Sequence, residues 1–122
     1  MTATTATPAQ VAAAYFETWR ARDFAAFRAL LADDATFSGP LGRAADADEC
    51  VAGIKGMSQI VTDIVVDRIV ADGADVITWF QLHTSLADPI PVANWSRVEN
   101  GLITRIRVAF DARPLTSGPV SA

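Results

Sequence analysis

A chain of 122 residues, 51% of them hydrophobic, has the size of one domain and enough apolar material to bury a core. Its 10 basic and 14 acidic residues leave a net charge of −4 and a pI near 4.7 with no basic cluster, which excludes nucleic acid or an anionic membrane as a partner held by phosphate neutralisation. The lone cysteine, Cys50, excludes an intrachain disulfide and a cysteine-built zinc site, and the absence of a targeting or membrane-length apolar segment predicts a cytoplasmic protein.

Residues 1–7, rich in Thr and Ala without periodicity, predict a disordered start, followed by one domain over 8–115 and a flexible tail over 116–122. Thr7-Pro8 supplies an N-cap and a first-turn proline, and Val11, Tyr15, Phe16 and Trp19 then form an inward stripe on a first helix. Asp23 is positioned to cap a second helix carrying Phe24, Phe27, Leu30 and Leu31, which Asp33 and Asp34 end ahead of a short strand at ATF. After a Gly/Pro/Ala/Asp loop, Asp46 or Asp48 opens a third helix to about Val61, with Gly53 and Gly56 as weak points inside it.

From Ile64 the pattern becomes β: IVVDRIVA, a DGA turn, then long runs between Asp75 and Asp111, the last two joined by the hairpin dipeptide Asn100-Gly101. In the run starting at Asp75, Ile77, Trp79, Gln81 and His83 share one face, while Val76, Thr78, Phe80 and Leu82 share the other. Both faces are apolar, so the sheet needs helices on one side and further cover on the other. The polar residues Gln81, His83 and Asn94 stand out against that background. His83 is the one histidine, with an ordinary pKa of about 6.5 suited to proton transfer.

The order of helix, helix, short strand, helix and β-meander resembles the NTF2-like superfamily over about residues 9–115. The segments YFETWRARDFAAFRALLADDATFSGPLG and NGLITRIRVAFDARPL look like the opening and closing stretches of its SnoaL-like members. The resemblance implies an α+β cone in which about three N-terminal helices pack against a curved, mostly antiparallel sheet, with a pocket in the mouth.

Against ketosteroid isomerases within the superfamily, Tyr15 occupies the oxyanion tyrosine's place in a Y-x-E context, and Asn94 the place of the second oxyanion acid. Gly39 in DATFSGPLG replaces the catalytic carboxylate. Against limonene-type epoxide hydrolases, Val108 falls on the catalytic Asp, and Gln81 and His83 lie near the Arg-x-Asp pair. Against SnoaL-type cyclases, His83 echoes the acid-base histidine.

These readings predict a cofactor-free enzyme without metal in which His83 shuttles a proton while Tyr15 and Asn94 hold an oxygen gaining charge. Trp79, Gln81, Trp19, Phe37 and Val108 are the expected pocket walls. The substrate is then an apolar, carbonyl-bearing small molecule undergoing isomerisation, cyclisation or dehydration. The alternative is a non-catalytic ligand-binding or dimerisation module, and the third reading an epoxide hydrolase. Trp95, Arg105 and Arg107 are expected on the outer face, where Phe80, Leu82, Trp95 and Val98 would form a homodimer contact.

Overall fold

The computed structural model describes residues 6–116. Residues 1–5 and 117–122, which include most of the expected disordered start and tail, lie outside the described residues. Thr7 caps α1 (Pro8–Ala21), its hydroxyl accepting the Gln10 N–H while the Gln10 side chain accepts the Thr7 N–H. Arg22, at φ 57°, closes that helix in the left-handed region, and the Asp23 carboxylate caps α2 (Phe24–Ala29) by accepting the Ala26 N–H.

The chain becomes extended at Leu31, earlier than the residues suggest. Strand β1 (Leu31–Gly39) takes in Leu31, Asp33 and Asp34, which the sequence reading gave to the end of a helix. Leu31 packs inward from the strand, and Asp33 is reached by Arg28 of α2 at 2.9 Å, as is Asp48 at 3.0 Å. An apolar pair at a helix end satisfies either geometry, and pairing of Leu31 with the last strand decides it.

After β2 (Gly42–Ala44), Asp46 caps α3 (Ala47–Ser58), which stays helical through Gly53 and Gly56. Four long strands follow: β3 (Val61–Asp72), β4 (Asp75–Thr84), β5 (Ile90–Glu99) and β6 (Leu102–Ala109), then a short α4 (Arg113–Thr116) absent from the sequence reading. Asn100 and Gly101 both have positive φ, 53° and 77°, as a two-residue hairpin demands.

The strands form one six-stranded curved sheet in the order β2-β1-β6-β5-β4-β3, antiparallel except between β1 and β6. Asp67 is an extra residue in β3, between the pairs Val66 with Phe80 and Arg68 with Trp79. Helix α1 lies across β3, β4 and β5, and α3 covers β1 and β2. The core between the layers is aromatic: Phe80 meets Phe16 at 4.8 Å and Trp19 at 6.1 Å, and Tyr15 meets Phe27 at 4.8 Å between ring centroids.

That packing fixes which sheet face is inner. Val76, Thr78, Phe80 and Leu82 are buried beneath the helices, so Ile77, Trp79, Gln81 and His83 face outward. The expectation that Trp79, Gln81 and His83 line the pocket is thereby corrected, as is the placement of Phe80, Leu82 and Val98 on the outer face, since all three are buried. Trp95 does face out, with the Arg105 and Arg107 guanidiniums 5.2 and 5.6 Å from its ring centre. Among the described residues no helix is long and apolar enough to cross a membrane.

Candidate functional site: an apolar cavity with a polar floor

Between α1, α3 and the inner sheet face lies a cavity of about 270 Å³. That is near the small end of the roughly 300–1,000 Å³ common for ligand pockets. Its walls are mostly hydrocarbon: Trp19, Phe27, Phe37, Ile54, Met57, Phe80, Leu82, Val92, Ile106, Val108 and Phe110. Of the expected walls, Trp19, Phe37 and Val108 are present, and Tyr15 and Asn94 line the cavity too.

Tyr15 and Asn94 come from different layers and meet because both are driven inward. Tyr15 belongs to the apolar stripe of α1, and Asn94 alternates with buried Val92 and Ser96 on β5. Each is 2% exposed. Ser96 Oγ donates to Asn94 Oδ1 at 2.8 Å, and Asn94 and Tyr15 line the same cavity. Burial pushes the phenol pKa well above its ordinary value, the neighbouring Cys50 adding to the rise and the polar Asn94 side chain opposing it. Tyr15 is therefore a neutral hydroxyl at physiological pH.

Cys50 was not anticipated as a site residue. Its thiol, 3.7 Å from the Ala35 carbonyl oxygen, is pushed up to about 11 by burial, with Asp46 and Glu49 adding to the rise, and stays protonated at neutral pH. Glu49, Gly53 and Met57 form an i, i+4, i+8 stripe of α3 along the cavity. That spacing was readable in the sequence, although nothing there showed which face of the helix met the sheet. Glu49 is the cavity's one carboxylate among the described residues, and its Oε1 accepts the Ala45 N–H at 2.9 Å.

Gly39 also lines the cavity, so the position that the resemblance assigns to the isomerase carboxylate is in place but bears no side chain. A Cβ there would come within 3.2 Å of the Phe37 ring. His83 lies outside the cavity, opposite Asp63 in the ladder between β3 and β4. Gln81 donates to Asp67 at 2.9 Å and Trp79 is 43% exposed. The proton shuttle assigned to His83 thus has no access to this site. Among the described residues no three His, Cys, Asp or Glu side chains converge as a metal site would require.

A curved, mostly antiparallel sheet wrapped on helices, with one pocket-forming face, defines an NTF2-like protein. The chain belongs to the SnoaL-like domain family, whose model matches residues 12–106. No curated protein sequence matches it. Among solved structures it is similar to a protein from Kribbella flavida DSM 17836, with 27% identity, 88% of each chain covered and a TM-score of 0.82. It is also similar to an NTF2-like protein from Cytophaga hutchinsonii ATCC 33406, with 24% identity, 93% of this chain and 98% of that one covered, and a TM-score of 0.83. A third is an LEH-like epoxide hydrolase of M. tuberculosis, with 24% identity, 91% and 87% covered and a TM-score of 0.76.

Proposed function

We propose that the cavity binds a compact apolar molecule carrying one oxygen acceptor, a carbonyl above all, and that Tyr15 is the donor to that oxygen. The observation that carries this reading is the buried, neutral Tyr15 hydroxyl beside Asn94 in a cavity whose walls are mostly hydrocarbon. A hydrogen bond made in a dry pocket fixes orientation, and the surrounding side chains provide affinity by burial. Titration calorimetry with hydrophobic ketones, enones and aromatic polyketide-like compounds tests it. Binding that weakens roughly tenfold in Tyr15→Phe, about the effect of one hydrogen bond, supports the reading. Ligands that bind with equal affinity to both forms refute it.

Glu49 favours a second reading, acid/base catalysis on the bound carbonyl compound as in isomerisation, cyclisation or dehydration. A carboxylate lining the cavity could take a proton α to the carbonyl while Tyr15 holds the developing oxyanion. Proton exchange at the α-carbon of a bound ketone, followed by NMR in deuterium oxide, checks it. Exchange catalysed by the wild type and lost in Glu49→Gln would establish turnover, whereas no catalysed exchange leaves a binding protein. Epoxide opening is the third reading: Val108 stands where the resemblance places the water-activating carboxylate, so Glu49 would have to serve in its stead.

We also propose a homodimer formed through the outer sheet face. In its support, Ile77, Trp79 and Trp95 stand on adjacent strands, Ile77 directly opposite Trp95, with Val65 and Val70 exposed on β3 alongside.

A further inference from the structure

Two glycines interrupt α3, and the backbone requires neither. Gly53 and Gly56 lie in the helix interior, where glycine destabilises relative to alanine, and neither has a positive φ. A Cβ on either would meet nothing within 4 Å, so no close packing demands them. They differ in one respect: Gly53 lines the cavity and Gly56 does not.

The cavity has a deep end and an open end. Tyr15 and Asn94 are buried at the first. At the second, Gly53 and Glu49 of α3 are exposed, and Leu41, in the turn between β1 and β2, lines the same space while 47% exposed. Cys50 and Ile54 form the buried part of the helix's cavity face, and Glu49 and Met57 stand one turn before and one turn after Gly53 at its edge. That edge therefore carries a side chain on either side of Gly53 and none at it. Neither neighbour leans over the gap, since a Cβ at Gly53 would find both of them beyond 4 Å.

We infer that Gly53 is a specificity-determining residue, and that the gap over it receives an apolar group at the end of the ligand remote from its carbonyl oxygen. The inference rests on the reading above, in which that oxygen sits at Tyr15. With the oxygen at the deep end, a ligand that outgrows it extends toward the open end and passes α3 where the helix has no side chain. The favoured class is thus an elongated ketone with a bulky hydrocarbon group far from the carbonyl. Hydrocarbon placed between Met57 and Leu41 leaves water at no polar cost, which a hydroxylated group in the same place could not do.

The test compares cyclohexanone with 4-tert-butylcyclohexanone, which adds such a group opposite the carbonyl, by titration calorimetry. The wild type should favour the substituted ketone by roughly tenfold or more. Gly53→Leu should weaken the substituted ketone by roughly tenfold and leave cyclohexanone near its wild-type affinity, with Gly53→Ala showing a smaller change in the same direction. Gly56→Leu, on the same helix but off the cavity, should leave both ketones as in the wild type. Equal weakening of the two ketones in Gly53→Leu, no weakening of either, or no wild-type preference overturns the inference.

Benzene and tert-butylbenzene repeat the comparison without a carbonyl. If the preference for the larger hydrocarbon depends on Gly53 while Tyr15→Phe leaves ketone affinity intact, the gap is an apolar subsite and the Tyr15 reading falls alone. If Tyr15→Phe weakens the ketones but no probe responds to Gly53, the carbonyl reading stands and the subsite falls. A wild type that binds none of the four probes at millimolar concentration overturns both.

Discussion

Tyr15 and Asn94 show what a sequence can say about a site at the scale of single residues. Tyr15 was legible twice, from its place in the helical stripe and from the resemblance of its Y-x-E context. Asn94 was legible as an amide among β-formers, a residue that must find partners wherever it is buried. His83 misled because β4 is apolar on both faces, with Trp79 and Ile77 on one and Phe80 and Leu82 on the other. Alternation separates two faces without saying which one the helices cover. Cys50 had no sequence signal at all, since it meets the Ala35 carbonyl and the cavity only across the fold.

Cys50 also sets a pH dependence. With its pKa raised from 9.0 to about 11, the thiol stays protonated in the native chain where the unfolded chain has lost its proton. Its contribution to stability is complete below about pH 9 and is lost as pH rises toward about 11. Urea unfolding at pH 8 and pH 10.5 should therefore show a smaller loss of stability in Cys50→Ala than in the wild type. Equal losses would mean that the thiol ionises as freely in the fold as outside it. By the same reasoning, a maleimide should label native Cys50 far more slowly at pH 7.5 than the urea-unfolded chain.

At the scale of elements, the ends of helices were the best written part of the sequence. Thr7, Asp23 and Asp46 each cap a helix through a side-chain oxygen, and Asn100-Gly101 makes its hairpin. Replacing Asp46 with alanine removes the bond to the Glu49 N–H and should destabilise the protein by about 1 kcal/mol in a chemical denaturation. The glycines of α3 offer the opposite change. A Cβ on Gly56 meets nothing within 4 Å, so Gly56→Ala should stabilise the protein by about 0.5–1 kcal/mol, and a lowered melting temperature would show hidden crowding. Gly53 has the same freedom but lines the cavity, so Gly53→Leu should stabilise the helix while weakening ligand binding. The boundary between α2 and β1 was less readable because Leu30 and Leu31 suit either state. Only the partner strand, through the pair Leu31 with Ile103, settles it.

For the molecule as a whole, the layered α+β fold followed from the order of the elements, but its sidedness required the assembled core. The proposed dimer is a question at this scale. Light scattering at micromolar concentration should give twice the chain mass, and replacing both Ile77 and Trp79 with arginine should give a monomer that remains folded. A monomeric wild type would leave the outer face to another use. The long strand β3 raises a separate matter of solubility, because it closes one side of the sheet with Val65, Val66 and Val70 exposed. A strand of that kind is a template for another chain's backbone, and the extra residue Asp67 interrupts it with a charge and a break in register. Deleting Asp67 would restore an even ladder, and its expected consequence is self-association into β-rich aggregates on mild heating, so that one irregularity in a strand guards the protein against its own copies.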